Sequence, residues 1–193
     1  MPVKIVRPDH LEIVGTGLVL LTAPHAKGPQ ADLHTGDIVE HAALVSKSYA
    51  VIGKVSREYV DLNRIQSAKT EFRKAIQTFI EEDGIRCIID VHGKIEPGVD
   101  IGTSKGKSAS EETVNLVHDI LSKEFVVNTN SEFSGTETGT IVETYGETLK
   151  KKGRSVEAVQ LEFGHEERTV HKDKIVNALA NIALSMNLLQ ESQ

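Results

Sequence analysis

The sequence predicts an α/β fold with a largely parallel sheet. Two observations carry this. Short runs of β-branched and aliphatic residues alternate along the chain with longer amphipathic stretches of helical period. Several of those runs are apolar at successive positions, as in strands covered on both faces, and end in a histidine, an acid or a glycine. Arg86-Cys87-Ile88-Ile89-Asp90-Val91-His92-Gly93 shows this most plainly. In open α/β sheets ligands lie beyond the carboxyl ends of strands, so such an ending reads as the edge of a site.

Taken in order, residues 1–16 hold short alternating stretches that suit an edge hairpin. Residues 17–23 read as a buried strand, and Pro24 ends its ladder so that His25 leaves the sheet. A loop follows to Thr35, and apolar Ile38, Val39, Ala42, Ala43 and Val45 then recur with helical spacing. Residues 50–55 form the next strand and run into a polar stretch with two arginines, Arg57 and Arg64. An amphipathic helix spans 67–83, with Phe72, Ala75, Ile76, Phe79 and Ile80 inward and Gly84 as its stop. After the strand at 86–91 comes a glycine- and lysine-rich loop at 92–110. Residues 111–123 read as helix, 125–128 as a short strand, 141–152 as helix, 156–163 as strand and 169–190 as the final helix.

Bulk properties limit the function. The chain has 193 residues, which suits one domain over 1–193 with a full core. With 39% apolar and 26% charged residues it has globular composition, and 4% aromatics without Trp leaves the core to Ile, Val, Leu and Ala. A net charge of −6 speaks against nucleic acid as a partner, and no apolar run reaches membrane-spanning length. The basic stretch at 150–154 reads as a solvated helix end. The single cysteine, Cys87, lies in an apolar strand, where a thiol packs and does not react. One cysteine and no signal peptide make the cytoplasm the expected compartment.

Two strand-end histidines with an acid between them suit a catalytic zinc, which takes three His or carboxylate ligands and keeps one position open. His25, Glu40 and His92 form the expected set, with Asp37 the competing acid. His/carboxylate sites take several divalent ions, so the residues point to zinc without excluding others. Asp90 lies two residues before His92 on the same strand face and can accept its free ring N–H. The stretch 102–108 imitates a phosphate loop but is one residue short between its glycines.

Pro24-His25, an acid on the next helix, Ser56-Arg57, Asp61-Leu62-Asn63-Arg64, Asp90-Val91-His92-Gly93 and Gln160-Leu161-Glu162 together resemble the N-formylglutamate amidohydrolase family, over residues 18–165. The resemblance implies a fold similar to zinc carboxypeptidases and aspartoacylases, a three-layer α/β/α domain with a mixed sheet. It implies metal binding by His25, Glu40 and His92, although the compact His-x-x-Glu of the carboxypeptidases is missing. It implies that Glu162 is the general base and acid. A carboxylate at a strand end beside a metal-bound water suits that task. Arg57 and Arg64 suit a substrate carboxylate or a developing oxyanion, with one of them alternatively paired to Asp61. Asn63 is expected to orient or donate, and His165, three residues past Glu162, to line the pocket. The expected function is hydrolysis of the amide of a small N-formyl or N-acyl amino acid, a carboxylate-bearing substrate, by attack of a zinc-bound water. The competing readings are a non-catalytic binding module of the same fold and a hydrolase of another bond, such as a phosphoester.

Overall fold

The apolar runs become strands because each can bury both faces. The computed structural model describes residues 1–28, 32–149, 153 and 156–191. Its strands are β1 (Val3–Val6), β2 (His10–Val14), β3 (Val19–Ala23), β4 (Tyr49–Gly53), β5 (Cys87–Gly93), β6 (Val99–Gly102), β7 (Val127–Thr129) and β8 (Glu157–Phe163). They form one eight-stranded sheet in the order β1-β2-β4-β3-β5-β8-β6-β7. The central pairs β4/β3, β3/β5 and β5/β8 are parallel; β1/β2, β2/β4 and β6/β8 are antiparallel. The sheet is therefore mixed with a parallel centre, as expected.

Helices cover both faces. The helices α1 (Thr35–Ser46), α3 (Glu111–Leu121) and α5 (Lys172–Glu191) lie on one side, where Ile38, Val39, Val117, Leu179 and Ile182 pack on Leu21, Ile89 and Val159. On the other side, α2 (Glu71–Glu82) and a π-helical segment (Val142–Thr148) set Phe72, Ile76, Phe79 and Tyr145 against Leu20, Val51 and Ile88. Thr70 caps α2 by accepting from the Arg73 N–H at 3.3 Å, which meets one of the free donors of the first turn. Cys87 is buried, and desolvation and the nearby Glu157 charge push its thiol far up, away from reactivity. Among the described residues, no helix is long and apolar enough to cross a membrane.

Four elements differ from the sequence reading. β6 lies inside the expected 92–110 loop; four residues that follow Gly98 and end in Gly102 are too few to show a period, and pairing with β8 and β7 makes the strand. The expected helix at 141–152 is π-helical over Val142–Thr148, with Gly146 packed against Ser108 and Ala158. Its last residues, and the basic stretch at 150–154 except Gly153, lie outside the described residues. The expected final helix is two, α4 (His165–Val170) and α5, parted at His171.

Arg168 of α4 is fully buried. Its guanidinium donates to three main-chain carbonyls: Phe163 from Nε at 2.9 Å, Lys94 from Nη2 at 3.0 Å, and Leu33 from Nη1. These carbonyls follow or end β8, β5 and the loop before α1. One planar cation thus ties two strand ends and the loop before α1 together. Replacing Arg168 with Ala strands three buried acceptors, so unfolding free energy should fall by about 3–5 kcal/mol, and Lys should recover only part of it. Urea unfolding checks this; a loss below about 1 kcal/mol for Arg168→Ala would show that the carbonyls find other partners.

Candidate metal centre

Side-chain alternation places the polar groups. In β5, Cys87, Ile89 and Val91 face α1 and α3, which turns Ile88, Asp90 and His92 to the opposite face. Register then aligns neighbours: Asp90 pairs with Thr22 of β3 and with Gln160 of β8, and His92 pairs with Glu162. Thr22, Asp90, His92, Gln160 and Glu162 are all buried, at the carboxyl ends of parallel strands.

Two imidazoles meet above these ends, their ring centroids 5.0 Å apart. His92 Nε2 lies 2.8 Å from Asp90 Oδ2, and Thr22 donates to the other Asp90 oxygen at 2.6 Å. His25 Nε2 lies 2.7 Å from Asp61 Oδ1. Each histidine thus has a carboxylate on its Nε2, which orients the ring and directs Nδ1 elsewhere. Both Nδ1 atoms turn to Asp32: 3.1 Å from His25 and 3.5 Å from His92 to the same carboxylate oxygen. His25, Asp32 and His92 are buried, and each offers one ligand atom, all within 4.8 Å of one another.

This donor set fits a divalent cation. Two imidazole nitrogens and a carboxylate are the ligand types zinc takes, and the Nε2 carboxylates are the outer shell it usually has. Charges also agree. Burial raises the Asp32 pKa, but hydrogen bonds from His25 and His92 outweigh it and hold the carboxyl below the usual range. For His92 burial acts downward, yet the Asp90 charge and the Asp32 hydrogen bond hold the ring well above its ordinary value. A cation can satisfy this convergence in place of a proton.

Around the group lies a cleft of about 450 Å³ bordered by Arg57, Asn63, Arg64, Glu137 and Glu162. Glu162 accepts from Gln160 Nε2 at 3.0 Å. Burial pushes its carboxyl up to about 7; the His92 charge lowers it, and Asp32 and Asp90 raise it. Arg57 lies between Asp32 (3.6 Å) and Asp61 (3.5 Å). Asn63 Oδ1 accepts from the Ile141 N–H at 2.7 Å, and its Nδ2 lies 3.1 Å from His92 Nε2. Its own N–H donates to Asp61 Oδ1 at 2.9 Å. Arg64 donates to the Asn63 carbonyl at 2.8 Å and pairs with Glu137.

The structure brings His25, Arg57, Asp61, Asn63, Arg64, Asp90, His92 and Glu162 together, and it leaves three expected residues outside. Glu40 pairs with Lys4, and Asp37 pairs with Lys172 at 3.0 Å. The reason is the layer. α1 packs on the sheet face opposite to His92, with Ile38 and Val39 turned inward, so its acids face away from the site. Asp32, in the turn before α1, stands in the place expected of Glu40 or Asp37. The sequence signal for it was present, an acid in the loop that leaves Pro24-His25, seven residues past the histidine. His165 is exposed at the start of α4 and does not border the cleft. Thr22 and Lys94 also belong to the surroundings and carry no motif, and Gln160, part of the Gln160-Leu161-Glu162 stretch, joins them beside Glu162. The 102–108 stretch satisfies its own amides: Gly106 donates to Thr103 Oγ1 at 3.0 Å and Lys107 to the Thr103 carbonyl at 3.0 Å.

No family model matches the sequence, and no curated protein does. Solved structures do share the fold. The N-formylglutamate amidohydrolase of Ralstonia eutropha JMP134 superposes with a TM-score of 0.73 at 11% identity, over 96% of this chain and 99% of that one. A bacteriophage poly-γ-glutamate hydrolase gives 0.59 at 13% identity, over 96% and 93%. A metallo-carboxypeptidase from Burkholderia cenocepacia gives 0.59 at 11% identity, over 95% of this chain and 61% of that one. The chain therefore has the architecture common to these amidohydrolases and metallo-carboxypeptidases.

Proposed function

We propose that this protein is a metal-dependent hydrolase of an amide bond in a small, carboxylate-bearing substrate, such as an N-formyl or N-acyl amino acid, with zinc the best-suited ion. The observation that carries the reading is the convergence of His25 Nδ1 and His92 Nδ1 on one Asp32 oxygen, with Glu162 in register beside His92. The names of the structural neighbours agree with it. One is an amidohydrolase of N-formylglutamate, one a hydrolase of poly-γ-glutamate, one a metallo-carboxypeptidase.

His25, Asp32 and His92 would hold the cation. When bound, it would polarise the substrate carbonyl and make water a better nucleophile near neutral pH. Asp90 and Asp61 keep each ring aimed by holding Nε2. Glu162 takes a proton from the attacking water and returns it to the leaving amine nitrogen. A buried carboxyl at a strand end beside the cation suits both halves of that transfer. Arg64 binds the substrate carboxylate, since a guanidinium matches its two oxygens. Asn63, fixed by the Ile141 N–H and by Asp61, presents its amide beside that site. Arg57 holds Asp32 and Asp61 in place and adds positive charge where an oxyanion develops.

Purified protein should hold about one divalent ion per chain, and Asp32→Ala or His92→Ala should lose it while Glu40→Ala keeps it. Elemental analysis decides; loss in Glu40→Ala with retention in Asp32→Ala would overturn the ligand set. Glu162→Gln should lower kcat by about 10²–10⁴-fold with the metal still bound, since it removes the proton carrier alone. Near-normal turnover would refute that role. In the metal-free protein the raised carboxyl has a stability signature. The folded state keeps the Glu162 proton up to about 7, the unfolded chain only up to 4.5. Stability should therefore fall as pH rises between these values, by at most about 1.4 kcal/mol per pH unit from this group. Glu162→Gln should flatten that part of the slope in urea unfolding with chelator present.

A further inference from the structure

The loop between β7 and the π-helical segment borders the cleft. Two of its glycines are pinned. Gly135 (φ +70°) sits where an added Cβ would come 2.6 Å from Val142 Cγ2, and Gly139 (φ +81°) presses on the Ile65 main chain. Only a residue without a side chain fits either place, and both have the positive φ that glycine allows. Arg73, buried, donates to the Gly139 carbonyl at 2.8 Å. Thr140 closes the loop on itself, donating through Oγ1 to the carbonyls of Gly135 (3.2 Å) and Glu137 (3.0 Å).

Glu137 is the only acid between those two glycines. Its carboxylate meets Arg64 Nη2, while Nη1 of the same guanidinium is held by the Asn63 carbonyl. Both residues border the cleft. Among the described residues bordering the cleft, Arg57 lies between Asp32 and Asp61 and Lys94 pairs with Asp100, so the guanidinium proposed to grip a ligand carboxylate, Arg64, already faces a carboxylate of the protein. We infer that Glu137 is an internal competitor for the substrate carboxylate. It holds Arg64 and must be displaced when a substrate carboxylate binds, so it lowers the apparent affinity for anionic substrates. This rests on the carboxylate role of Arg64 proposed above. The pair is partly exposed, so solvent screens it and its effect is small, about two- to five-fold in affinity.

The test is calorimetric titration of glutarate, with its neutral diamide glutaramide as control, into the full protein. Glu137→Gln should bind glutarate about two- to five-fold tighter and glutaramide unchanged. Arg64→Met should weaken glutarate binding, and adding Glu137→Gln to that variant should then change nothing. If Arg64→Met weakens glutarate but Glu137→Gln alone has no effect or also weakens it, the competitor role is overturned and the carboxylate site stands. If Arg64→Met binds glutarate as well as the unaltered protein, the carboxylate reading of Arg64 fails, and the competitor role falls with it.

Discussion

The parallel pairing of β5 with β3 and β8 governs the site. It aligns Asp90 with Thr22 and Gln160, and His92 with Glu162, on one face of an otherwise apolar sheet. Burying an acid there is unfavourable unless each oxygen finds a donor. Thr22 and His92 supply those donors for Asp90, one to each oxygen. A one-residue slip of β5 would send Asp90 and His92 to the opposite face, among the apolar side chains of α1 and α3, and strand Thr22. The polar face therefore locks the register as firmly as the core does.

From that register the rest of the site follows outward. Asp90 orients His92, His92 faces His25, and both meet Asp32, whose loop is tied down beside it by Arg168 through the Leu33 carbonyl. Arg168 also binds the carbonyls of Phe163 and Lys94, just past Glu162 and His92. The same guanidinium that stabilises the fold thus limits relative movement of the three segments that bear the site. Precision in a metal site depends on such support, because ligands left to loop motion lose affinity.

Much of this was legible in the chain. The strands at β3, β5 and β8 are apolar runs with polar endings, and burial on both faces gives them an unambiguous pattern. His25, His92, Asp90 and Glu162 could be read from those endings, since a strand end leaves few places for a side chain to go. Asp61, Asn63 and Arg64 stood out as a compact polar block. The acid between the histidines could not be placed in the same way. Helical spacing puts Asp37 and Glu40 on one face of α1, but says nothing of which side of the sheet α1 covers. β6 was hidden because its pairing partners are distant in sequence and its length is four residues.

The sequence by itself determined the α/β class, the order of the central elements and the strand-end histidines, because these depend on local period and on where an apolar run stops. Tertiary structure decided that Asp32 stands beside the two histidines while Glu40 and Asp37 lie away from them, that Arg168 is buried and that Arg64 meets Glu137. Those depend on which layer a helix joins and which loop lies beside which strand end. Contacts between residues far apart in the chain settle such questions, and no periodicity within one segment records them.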